Sequence, residues 1–116
     1  MRTVSDPINA EDIVLEVANQ AGVAVADLRG DYRRHGNKSI AMQERRAILV
    51  RARDAAVFAM AKRGVDTATM CAVLGVSQPT ISACMARAKL SIDDGPATRG
   101  LAQRALAYLE KEKDGA

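Results

Sequence analysis

The sequence predicts an all-α fold of about five helices followed by one further amphipathic helix, and three observations carry that prediction. Aromatic residues make up 3% of the 116 residues and Trp is absent, so the core must be built from Ala, Val, Leu, Ile and Met. Such side chains suit close-packed helices better than a sheet. Apolar residues recur at helical spacing, and Asn, Asp and Ser caps alternate with stopping glycines, the punctuation of successive helices. The length and the 48% apolar content fit one modest core,.

The first helix is read from Asn9 to Gln20. Asn9 caps it, Glu11 and Asp12 favour its positive N-terminal end, and Ile13, Val14, Val17 and Ala21 share a face,. Gly22 ends it. A short helix within Val23 to Arg29 offers Val23, Val25 and Leu28 for burial and stops at Gly30,. The polar, glycine-bearing stretch from Asp31 to Lys38 reads as a basic loop,. From Ser39 to Arg63 there is no Gly or Pro, and apolar residues gather from Ile48 to Met60, marking a central core helix. Its Arg45, Arg46, Arg51 and Arg53 are expected on a half that faces solvent or phosphate,. Asp66 caps a helix from Thr67 to Leu74, and Ser77 caps another from Gln78 to about Lys89, with Pro79 tolerated in its first turn,. Ser91 to Pro96 reads as a linker. The last helix, about Ala97 to Lys111, carries Leu101, Ala105, Leu106 and Leu109 on one stripe and is expected to stand apart from the main core,. Residues 1–90 then form one domain and 91–116 a linker with its helix.

The net charge of +3 says little, but its distribution is uneven. Residues 31–63 hold nine Lys/Arg against three Asp/Glu, net +6, whereas residues 1–30 are net −3. A basic block on a helical domain has two readings, the electrostatic footprint expected for phosphate contacts and an ordinary solvated helix face, and charge alone does not choose between them. No stretch approaches the roughly 18 apolar residues of a membrane span, and the Arg2, Asp6 start lacks the apolar block of a signal peptide,. A cytoplasmic, nucleoid-associated protein without membrane contact is expected. Cys71 and Cys84 fall on helices, where a thiol behaves as a small buried hydrophobe rather than a disulfide half or metal ligand,. Enzyme readings find little support. The one His, His35, lies among cations, Asp93 and Asp94 read as turn residues, and Met42, Met60, Met70 and Met85 read as core,. No catalytic residue, metal or cofactor is expected.

The sharpest local signal is Thr67 to Lys89, two helices joined by Leu74, Gly75, Val76 and Ser77, which reads as a helix-turn-helix. Gly75 supplies the positive φ of the turn, and Met70, Leu74, Val76, Ile81 and Met85 fix the crossing,. The run Leu74-Gly-Val-Ser-Gln-Pro-Thr-Ile-Ser82 resembles the common bacterial helix-turn-helix consensus. At about 100° per residue, Ile81, Cys84, Met85 and Ala88 fall on the buried side of the second helix. Pro79, Ser82, Ala83, Ala86 and Arg87 fall opposite, with Gln78 and Thr80 at the leading edge, and the capping Ser77 is counted with them among the candidate DNA contacts. Gln78 can pair bidentately with adenine, Ser82 with several base edges, the alanines with thymine methyls, and Arg87 with phosphate. Long hydrogen-bonding side chains are scarce, so direct readout is expected to be modest, with DNA shape or a partner supplying the rest.

A second resemblance spans about residues 10–90. Gly22-Val-Ala-Val-Ala-Asp-Leu-Arg29 and Ala52-Arg53-Asp54-Ala55-Ala56-Val57-Phe58, followed by the two-helix unit, resemble the C-terminal DNA-binding domain (domain IV) of the replication initiator DnaA, a fold similar to the Trp repressor. The resemblance implies that Arg33, Arg34 and Lys38 lie in a loop pressed against the minor groove. The chain departs from the family at Val76-Ser77-Gln78-Pro79-Thr80, which replaces its Arg-Asp-His-Ser-Thr type signature, and by extra residues between Arg34 and Arg46. No Gly-x-x-x-x-Gly-Lys-Ser/Thr occurs, so no nucleotide-driven initiation is expected of this chain,. Short DnaA-like regulators of gene-transfer agents and prophages in alphaproteobacteria look similar in organisation. The expectation is a sequence-preferring double-stranded DNA binder acting in transcription, activation slightly favoured. RNA polymerase, an architectural protein or a second subunit would dock on the C-terminal helix. Two alternatives stand beside it: a replication-associated factor competing with DnaA for origin DNA, and a protein-binding adaptor without DNA contact.

Overall fold

The computed structural model describes residues 9–29, 40–92 and 94–115. Among them are six helices and no strand: α1 (Ala10–Ala21), α2 (Val25–Leu28), α3 (Ile40–Lys62), α4 (Thr67–Leu74), α5 (Gln78–Leu90) and α6 (Gly95–Gly115). Local chemistry accounts for most of their ends. Asn9 Oδ1 accepts from the Asp12 N–H at 2.8 Å, and Asp66 Oδ1 accepts from the Thr69 N–H at 2.7 Å. Each bond satisfies an amide that the first turn leaves without a partner. The Thr69 bonds also hold the Asp66 carboxyl below its ordinary value. Between α4 and α5 the chain turns within three residues, and Gly75, at φ 66°, occupies the left-handed region closed to most side chains,.

The core is organised around α3, which packs against α1, α2, α5 and α6. Every residue from Ala52 to Met60 is buried, charged Arg53 and Asp54 included. A helix covered on all sides cannot keep a polar stripe, so this half of α3 has no wet face. The alanines at 52, 55, 56 and 59 let neighbouring helices approach closely,. α1 contributes Ile13, Val14, Val17 and Ala18, and α2 contributes Leu28.

The C-terminal helix corrects the sequence reading. α6 packs against α1, α3 and α5, and its Leu101, Ala102, Ala105 and Leu109 belong to the same buried cluster as α1 and α3. Leu106, the remaining member of the stripe, is partly buried against that cluster. The apolar face meets its own chain and is not free to swing away. The connection is also shorter than expected, because α6 starts at Gly95 instead of Ala97. Ser91 Oγ accepts from the Asp94 N–H at 3.1 Å, and Ser91 O accepts from the Gly95 N–H at 3.2 Å. Pro96 costs nothing in a first turn that has no use for its N–H. A Cβ at Gly95 would lie 3.3 Å from the Ala88 carbonyl oxygen and 2.9 Å from Arg99 Nη1. Glycine therefore lets the start of α6 sit tightly against the end of α5. Arg99 exploits that closeness, donating from Nη1 to the Ala88 and Lys89 carbonyls at 2.8 and 3.3 Å, a cationic cap on the negative end of α5.

Candidate nucleic-acid interface

α4 and α5 meet at 101°. The joint is held from beneath by Met70, Leu74 and Ile81, all buried, with Val76 and Met85 packed against the core. These are the five residues that the sequence assigns to the crossing. On α5, Ile81, Cys84 and Ala88 point inward, while Gln78, Pro79, Ser82, Ala83, Ala86 and Arg87 are exposed. The outward row is small and polar, and α5 contains no acid. A surface of that kind can approach another macromolecule closely without burying a repulsive carboxylate.

Ser77 begins α5 with extended backbone but makes no capping bond to an amide. Its Oγ lies 3.1 Å from Thr80 Oγ1 instead. The sequence reading of Ser77 as a cap holds for its position and not for its side chain, because the neighbouring hydroxyl takes the hydroxyl's attention.

The basic block divides three ways. Arg45 and Arg51 are accessible and make only surface pairs, Arg45 with Asp27 at 2.7 Å and Arg51 with Asp94 at 3.1 Å. Pairs of this kind contribute little and open readily. Arg46 is half-buried beside them. Arg53 is different, at 3% exposure with its Nε donating to the Leu28 carbonyl at 2.9 Å. It fastens α2 to α3, and its expected role as a phosphate contact is corrected. Arg33, Arg34 and Lys38 lie outside the described residues.

Arg87 also departs from expectation. Its Nε and Nη2 donate to Asp54 Oδ2 and Oδ1, each at 2.9 Å, a bidentate pair that joins α5 to α3. Asp54 is 5% exposed and Arg87 45%. The guanidinium is therefore committed to an internal carboxylate before any phosphate arrives. Sequence reasoning passed over Asp54, whose partner stands 33 positions away, beyond any local signal.

Cys84 lies beneath this pair. Burial and then the Asp54 charge push its thiol up from 9.0 to about 12. The folded state thus favours the neutral thiol. Its contribution to stability is complete below pH 9 and is lost as the pH rises toward 12,. At pH 8, alkylation of Cys84 by iodoacetamide is expected only through opening of the fold, so its rate should track denaturant. Rapid labelling of Cys84 in the native protein would contradict this.

Comparison of the chain with protein-family models, curated proteins and solved structures finds no match. Among the described residues no group of three or more His, Cys, Asp or Glu could hold a metal ion, and no single helix is long and apolar enough to cross a membrane.

Proposed function

We propose that this chain is a sequence-preferring double-stranded DNA-binding protein acting in transcription, with α4 and α5 as a helix-turn-helix and α5 entering the major groove. The observation that supports it most is the 101° joint, within the range of such motifs, combined with the acid-free outward row of α5. Gln78 and Ser82 are assigned to base edges, Ala83 and Ala86 to close approach, and Arg45, Arg46 and Arg51 to phosphates. Activation loses its particular support, because the stripe reserved for a transcription partner lies inside the chain's own core.

The test is selection of preferred duplexes from a random pool, followed by titration of variants. Gln78→Ala and Ser82→Ala are expected to weaken the preferred site by about 1–3 kcal/mol and random DNA far less. Arg45→Ala and Arg46→Ala should weaken all duplexes alike and flatten the slope of log K against log salt by about one unit each. A pool from which nothing is enriched, with no salt-dependent retention, would leave the adaptor reading in place. Preference for a DnaA-box duplex over promoter fragments would favour the replication reading.

A further inference from the structure

Where α3, the end of α5 and the start of α6 converge, the surface opens into a cavity of ≈ 430 Å³. Its wall carries three guanidinium groups, Arg46, Arg51 and Arg87, with Val50 on the apolar side and Asp94 and Thr98 from the α6 end. Asp54, which also lines it, is already engaged at both oxygens by Arg87. Asp94 pairs with Arg51. It reaches Arg51 through Nη2 alone, at 3.1 Å, and is 67% exposed. Arg51 Nε, on the same guanidinium, is sealed from water and has no hydrogen-bond partner. A buried donor without an acceptor is costly, and native structures tend to supply one.

We infer that this cavity is an oxyanion-binding site, in which a phosphate or carboxylate group displaces Asp94 and engages Arg51 through Nε and Nη2 together. The guanidinium edge is built for that two-point contact, and Asp94 uses half of it. The volume exceeds what a lone phosphate fills and suits a small molecule bearing the anion. A DNA backbone phosphate presents the same chemistry. The site does not depend on the DNA reading, because it is complete within the free chain.

The experiment follows the Arg51 Nε–H resonance of the full chain by nitrogen-15 NMR as inorganic phosphate is added, with chloride at matched ionic strength as control. A saturable shift of Arg51 at millimolar phosphate is expected. Asp94→Asn, which removes the competing charge, should tighten binding severalfold. Arg51→Lys, which keeps the charge and loses the two-point edge, should abolish saturation seen at neighbouring amides. A DNA duplex distinguishes the sources. If the duplex moves Arg51 and phosphate competes, the anion is a backbone phosphate; if only free phosphate moves it, the ligand is a small molecule. A non-saturating drift shared by all arginines, in both wild type and Asp94→Asn, would overturn the proposal, as would wild-type affinity in Arg51→Lys.

Discussion

Truncation after Ser91 is expected to destroy the cooperative fold. The deletion removes Leu101, Ala102, Ala105 and Leu109 from the buried cluster and bares the surfaces of α1 and α3 on which they rest. Each buried leucine lost is worth about 2–5 kcal/mol, against a total stability of about 5–15 kcal/mol for an ordinary domain. Loss of the two alanines and of the Arg99 cap on α5 adds to that. Urea titration followed by far-ultraviolet circular dichroism should show a sloping, non-cooperative loss of helix in the truncated chain. Leu101→Ala in the full chain gives the graded version, with a cooperative transition shifted by about 2–5 kcal/mol. If the truncated chain instead melts cooperatively within a few degrees of the full chain, α6 is a detachable arm after all.

The fate of α6 shows which parts of this fold a single sequence makes legible. The caps at Asn9 and Asp66 and the turn at Gly75 involve groups within five residues of one another, and each can be read from spacing and side-chain chemistry. The inward and outward sides of α5 follow from helical geometry and from the apolar character of Ile81 and Ala88. Amphipathicity alone does not say what an apolar stripe meets. The stripe of α6 is equally consistent with a partner and with its own core, and the choice rests on where α1 and α3 leave a gap.

The arginines make the same point more sharply. Arg51 and Arg53 are two residues apart in one helix and look alike in sequence. One faces the surface opposite Asp94, and the other is sealed against the Leu28 carbonyl. What separates them is the enclosure of α3 between Ala52 and Met60, a product of tertiary packing. A basic block read as one surface is therefore part surface and part clamp. In the candidate interface, the α5 row is the part visible from sequence, and the Asp54 clamp behind it is the part that was not.

That clamp is expected to be asymmetric. Arg87→Met leaves the Asp54 carboxylate, 5% exposed, without its bidentate partner. Breaking a buried pair in this way costs about 3–5 kcal/mol. The lower end applies, because the 45% exposure of Arg87 gives water a route to the carboxylate. A loss of about 3 kcal/mol corresponds to a fall of roughly 10–20 °C in Tm for a chain of this size. Asp54→Asn should cost less, about 1–2 kcal/mol, since the stranded cation lies nearer the surface and can turn to solvent. Replacing both, Asp54→Leu with Arg87→Met, should recover much of the loss, because no buried charge then remains. With the Asp54→Leu single variant completing it, the double-mutant cycle isolates the coupling between the two positions. DNA binding separates the two roles proposed for Arg87. A residue that clamps α5 lowers Tm when removed, and weakens DNA binding only as α5 loosens. A residue that serves phosphate alone would leave Tm unchanged while flattening the salt slope by about one unit. Unchanged Tm in Arg87→Met would therefore refute the clamp, whatever happens to the affinity.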